Sequence, residues 1–108
     1  MENLHGFSNV QDILDQYELD KSALDGVTII CAYYENEDYD GSSAVLYEKD
    51  GKIYLVEAGH CSCYGLEGQF ESTQYEEKDL REKLESADSW EDSLIWVREF
   101  CKNHFNWK

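Results

Sequence analysis

Apolar positions along the chain change period several times, and each change marks an element. In "SNVQDILDQYEL" Val10, Ile13, Leu14 and Tyr17 recur at helical spacing and form one apolar stripe. Ser8 followed by Gln11 matches a capping box, in which each side chain satisfies an orphan donor of the first turn. The spacing predicts a helix of about ten residues. "LDKSALDG" then adds a further turn, closed by Asp25-Gly26.

"VTIICAYY", Val27 to Tyr34, is almost unbroken in apolar character and rich in β-branched and aromatic residues. That composition predicts a central strand covered on both faces. "ENEDYDGSS" reads as an acidic loop. "AVLYEKDGKIYLVE" reads as a hairpin, because Asp50-Gly51 suits a two-residue turn that needs positive φ. The turn predicts that Lys49 faces Lys52, Glu48 faces Ile53, Tyr47 faces Tyr54, Leu46 faces Leu55 and Val45 faces Val56. One face then carries Val45, Tyr47, Tyr54 and Val56, and the other Leu46, Ile53 and Leu55. Both faces are apolar, so each needs a cover.

"GLEGQFE" leads toward a short fourth strand. Thr73 and Glu76 form a second capping-box pair, ahead of a helix whose buried side is Leu80, Leu84 and Ala87. Its outer side pairs Glu77 with Arg81 and Asp79 with Lys83. A last helix begins near "SWED", capped by Ser89, with Trp90, Leu94, Val97, Cys101 and Phe105 within about 60° of one another. Ile95 and Trp96 lie off that stripe, so this helix packs on two sides or shows an aromatic patch to a partner. The expected fold is α+β, a small antiparallel sheet of three to four strands with a central hairpin, flanked by an N-terminal helix and two C-terminal helices. With 108 residues the chain is expected to form a single domain, 1–108.

Charge narrows the function classes. The chain holds 24 acidic and 9 basic residues, a formal charge of −15. Lys21 is the sole cation of the first 48 residues, which hold eleven Asp and Glu, and Ile53 to Glu77 contains none. Such a surface is repelled by phosphate and anionic lipid and attracted to basic protein. The expected partner is therefore a protein with a basic surface, such as a nucleic-acid-binding host protein, with no direct nucleic-acid or membrane contact. Neither a signal segment nor a span of about 20 apolar residues is visible, which points to the cytoplasm. The partner-binding candidates are Tyr34, Glu35, Glu37, Asp38, Tyr39 and Asp40, which mix carboxylates with amphipathic rings, together with Trp96. Carboxylates spaced along a face also imitate duplex DNA, which shows one charge per about 1.7 Å.

"GHCSCYG" is the second candidate. His60, Cys61 and Cys63 are zinc-ligand types, and Cys31 or Cys101 would complete a tetrahedral set if the fold brought one close. A one-residue gap between cysteines disfavours it, as does the absence of a second ligand pair. A reactive thiol needs a nearby cation and an aligned base, which this acidic chain does not provide. The preferred reading has no cofactor, zinc being the alternative, and makes His60, Cys61, Cys63, Tyr64 and Gly65 a constrained loop beyond the hairpin. No constellation indicates an enzyme.

The string "HCSCYGLEGQ" resembles a motif of small uncharacterised bacteriophage and prophage proteins, in which aromatic-rich strands precede the motif and an acidic helical segment follows. The likeness spans about Ile29 to Leu84 and is specific over His60 to Gln69. A proline that tends to follow the motif is missing here after Phe70. The resemblance implies phage origin and a shared loop, and no activity. The leading expectation is thus a small acidic phage-derived accessory protein that binds a basic partner, as an inhibitor of a host nucleic-acid-handling or defence protein. The alternatives are a metal- or thiol-dependent protein centred on His60, Cys61 and Cys63, and a phage structural or assembly component.

Overall fold

The computed structural model describes residues 3–37, 40–60, 70–88 and 91–107. The fold is α+β, and its sheet is larger than expected. Five strands run in the order β1 (Leu4–His5), β2 (Thr28–Glu37), β3 (Asp40–Lys49), β4 (Lys52–His60) and β5 (Ser72–Tyr75). The sheet is mixed, because β1 pairs parallel to β2 through Leu4↔Ala32 and His5↔Tyr33 while the other pairings are antiparallel. A two-residue parallel strand carries no alternation, so β1 left no trace in the pattern. "VTIICAYY" lies in β2, next to that short edge piece, and β3 takes the central place.

The β3–β4 hairpin has the expected register from Val45↔Val56 to Lys49↔Lys52. Asp50 and Gly51 sit at φ 55° and 78°, the two positive values such a turn demands. The pairing continues to Gly41↔His60 at the open end. The acidic segment is not a loop. β2 and β3 pair through Glu35↔Ser42, Asn36↔Gly41 and Glu37↔Asp40, since β3, already paired to β4 along one edge, presents the backbone groups of its other edge to β2.

A register shift between Ile29 and Cys31 bulges β2. Ile30 and Cys31 consequently both join the core on one side of the sheet, and Ala32 joins the other. On the first side, Ile30, Cys31, Ala44, Leu46 and Leu55 pack under Leu80 and Leu84 of α2 (Glu77–Glu85) and Leu94, Val97 and Cys101 of α3 (Asp92–His104). On the second, Ala32, Val45, Tyr47 and Val56 are covered by Phe7 and by Ile13 and Tyr17, contributed by α1 (Val10–Gln16) and its C-cap. Lys21–Leu24 forms a 3-10 turn. Both apolar faces are thus covered, as the hairpin pattern required.

The helix starts differ from expectation. Asn9, not Ser8, caps α1, its Oδ1 accepting from the Asp12 amide at 2.9 Å, while Asp12 Oδ2 accepts from the Ser8 amide at 3.0 Å. Val10 of the expected stripe is 43% exposed. Thr73 belongs to β5, and α2 starts from Glu76 without a side-chain cap. Glu91 is the N-cap residue of α3, and the proposed cap Ser89 with Trp90 falls outside the described residues. On α2, Arg81 bridges to Glu85 at 3.0 Å and Lys83 to Glu57 at 3.6 Å, the second tying α2 to β4.

Candidate functional site: an acidic cleft at the open end of the hairpin

Where β3 and β4 spread from the Asp50-Gly51 turn to their open end, their side chains on the α3 side become small. Successive rows across the sheet read Tyr33, Ala44, Glu57 and then Glu35, Ser42, Gly59. Directly opposed Cβ atoms lie about 5 Å apart, so Glu35, Ser42 and Gly59 form one row. The N-terminus of α3 passes over this floor. The resulting cleft, about 370 Å³, is lined by Ser42, Glu57, Ala58, Gly59, Glu91, Ser93 and Leu94, with Ser43 beneath.

Its electrostatics are one-sided. Glu57 and Glu91 are carboxylates in the lining, and no cation is among the described lining residues. Lys83 reaches Glu57 from α2, but at 3.6 Å with both side chains exposed it is a weak partner. Glu91 Oε2 accepts from the Asp88 amide at 2.8 Å, which fixes the carboxylate at the helix start. Ser43 and Ser93 are buried polar residues, and both border the cleft.

Ser43 is anchored from the opposite face. The Tyr17 hydroxyl, in a ring that is 1% exposed, donates to Ser43 Oγ at 2.8 Å. Burial pushes the Tyr17 phenol up to about 12, partly offset by that hydrogen bond. A phenol raised from 10 stabilises the fold fully below pH 10 and loses that contribution as pH climbs toward 12. At about 1.4 kcal/mol per unit, this comes to roughly 2–3 kcal/mol. Urea unfolding at stepped pH should show that loss, and Tyr17→Phe should be less stable near neutrality yet lack the alkaline slope between pH 10 and 12.

The expected partner-binding residues divide between the two sides of the sheet. The Tyr33 hydroxyl donates to the Glu35 carboxylate, and Tyr33 stacks on His5 at 4.8 Å and meets Trp96 at 5.7 Å, so Glu35 and Trp96 share the α3 side. Trp96 continues to Phe100 at 5.8 Å and is half-buried, which makes it the cover of the β1–β2 edge. Tyr34 stacks on Phe7 at 5.5 Å on the opposite side. Glu37 and Asp40 are placed by their backbone pairing, and Asp38 and Tyr39 lie outside the described residues.

No family model, curated protein or solved structure matches this chain.

Of the motif, the backbone of His60 ends β4 opposite Gly41, at the rim of the cleft; Cys61, Cys63, Tyr64 and Gly65 lie outside the described residues. Cys31 and Cys101 do not complete a metal set with His60. Cys31 stands in the row of Leu46 and Leu55, five residues along β3 from Gly41, a separation of about 16 Å at the rise of a strand. Cys31 and Cys101 are buried together between β2 and α3. Their mutual hydrogen bond, then burial, raises the Cys31 thiol far above its ordinary range, so it behaves as a small apolar group. No group of three or more metal-ligand side chains is assembled among the described residues, and none of their helices is long and apolar enough to cross a membrane.

Ser42, Glu57, Gly59, Glu91 and Ser93 stand out neither by motif nor by periodicity in the sequence. A signal for the first three existed, because extending the Asp50-Gly51 register past Val45↔Val56 sets Ser42 against Gly59. Nothing local announced that α3 would begin above them.

Proposed function

We propose that this chain is a small acidic accessory protein of bacteriophage origin that binds a basic protein partner in the cytoplasm of a bacterial host and inhibits it. The partner's chemistry is that of a nucleic-acid-handling or defence protein, whose own basic surface is made for phosphate. The carrying observation is the charge distribution. Eleven carboxylates accompany one cation over the first 48 residues, and α1, β2 and all of β3 except its last residue, Lys49, come from that stretch. Among the described residues the ion-paired cations in view lie on α2 and α3, where Lys102 and Arg98 both reach Glu99, at 3.2 and 3.3 Å, and hold its carboxyl below the usual range. The first half thus carries a net field that α2 and α3 do not offset locally. Such a field steers a cationic partner to the surface and raises the association rate more than it prolongs the complex. The phage origin rests on the motif resemblance.

Reversing Glu35, Glu37, Asp38 and Asp40 to Lys moves the formal charge from −15 to −7. Affinity capture from host lysate, eluted by a salt gradient, should yield a basic protein that leaves the wild-type chain as salt rises. The purified pair should lose about 100-fold or more in affinity, about 3 kcal/mol, in the reversed variant at low salt. Affinity that is indifferent to both salt and charge reversal defeats the reading.

A further inference from the structure

We propose that the cleft between the Ser42/Gly59 floor and the N-terminus of α3 is a socket for an arginine side chain of the basic partner. This rests on the function proposed above and specifies where and by what group the partner is held.

Ser93 supplies the first independent sign of a ligand. It is 7% exposed, borders the cleft, and its hydroxyl has no hydrogen-bond partner among the described residues. A buried hydroxyl left without a partner is destabilising, and a donor group entering the cleft removes that cost. Glu57 and Glu91 supply the charge from two different elements, β4 and the α3 N-cap. Glu91 has one oxygen engaged by the Asp88 amide. Lys83 stands 3.6 Å from Glu57, too far for a strong hydrogen bond, and leaves that carboxylate able to accept one.

The helix end by itself favours an anion, and magnitudes decide against that. The α3 N-terminus carries about half a positive charge, whereas Glu57 and Glu91 in the lining and Asp92 of the first turn bring three negative ones, of which Lys83 offsets at most one. A cation is therefore the ligand. Between the two protein cations, the guanidinium fits better. Its fork of five donors can serve two carboxylates and two serine hydroxyls at once, while an ammonium has three donors on a point charge. Leu94 in the lining also suits a weakly hydrated planar group more than a strongly hydrated one.

Gly59 gives the means of blocking the socket. A Cβ there meets nothing nearer than the Gly41 carbonyl oxygen at 3.9 Å, an ordinary contact, and alternation along β4 turns it to the same side as Glu57. Gly59→Leu therefore fills the cleft without a backbone conflict. Hexa-arginine and hexa-lysine peptides, titrated at low salt against the wild-type chain, should differ at least tenfold in favour of arginine. Gly59→Leu should abolish the difference and keep the residual, charge-driven binding of both. The isosteric pair Glu57→Gln/Glu91→Gln should do likewise, and it decides the matter if Gly59→Leu does not fold by circular dichroism. Equal affinity for the two peptides in the wild type, or an arginine preference that survives the occluding and the isosteric changes, overturns the socket and leaves the basic-partner reading intact. Absence of binding by either peptide overturns both.

Discussion

Gly6→Ala is expected to destabilise the protein by about 3 kcal/mol or more and to release β1 from the sheet. Gly6 has φ +85°, and a Cβ built on it falls 1.8 Å from the Tyr34 carbonyl oxygen and 2.8 Å from its carbon. Both obstacles are backbone atoms, so no flexible side chain can yield. Relief requires β1 to move away, breaking Leu4↔Ala32 and His5↔Tyr33 and the bond from the Ala32 amide to the Asn3 carbonyl at 2.8 Å. Gly26 is the control. Its φ of +74° is nearly as unfavourable for alanine, but nothing lies within 4 Å of its Cβ, so Gly26→Ala should cost only about 1 kcal/mol. Urea midpoints of the two variants measure the difference, and hydrogen exchange at Ala32 shows whether β1 has detached. Equal midpoints would mean that the chain does not approach Tyr34 so closely.

Leu84→Ala is the second large effect, with an expected loss of about 2–5 kcal/mol. Leu84 is fully buried beside Leu80 against the sheet, and α2 is a nine-residue helix without a side-chain cap at its start. Its stability comes from this packing, because a helix so short is marginal alone. A domain of this size has about 5–15 kcal/mol in total, so the variant should melt roughly 10–20 °C lower. Thermal unfolding followed by circular dichroism gives the shift, and a shift of only a few degrees would show that α2 is loosely held. The surface pair Arg81–Glu85 on the same helix is worth only a few tenths of a kcal/mol, so Glu85→Gln serves as the comparison.

These two sites differ in how visible they were. Leu84 was legible because helical spacing with Leu80 leaves a single way to bury both. Gly6 was not, since its demand arises from Tyr34, a residue far along the chain. The same division holds at the cleft. The register that opposes Ser42 to Gly59 follows from one local turn, Asp50-Gly51, whereas the placement of Glu91 and Ser93 above that row depends on how α3 packs on β2 and β3. The acidic segment was misjudged for a related reason. Carboxylates disfavour a strand in isolation, but β3, held by its pairing with β4, offers its other edge to β2, a partner that local composition does not reveal.

What the sequence by itself determined is whatever depends on neighbours within a few residues: the hairpin turn and its register, the buried stripes of α2 and α3, the need for cover on both sheet faces, and the excess of negative charge. Tertiary structure alone decided the parallel β1 pairing, the bulge that puts Ile30 and Cys31 on one side, and the meeting of Glu57 with Glu91 and Ser93 in one cleft. The physical reason is range. Backbone dihedrals and side-chain periodicity are set locally, while which surfaces touch is settled only when distant segments bury apolar area together.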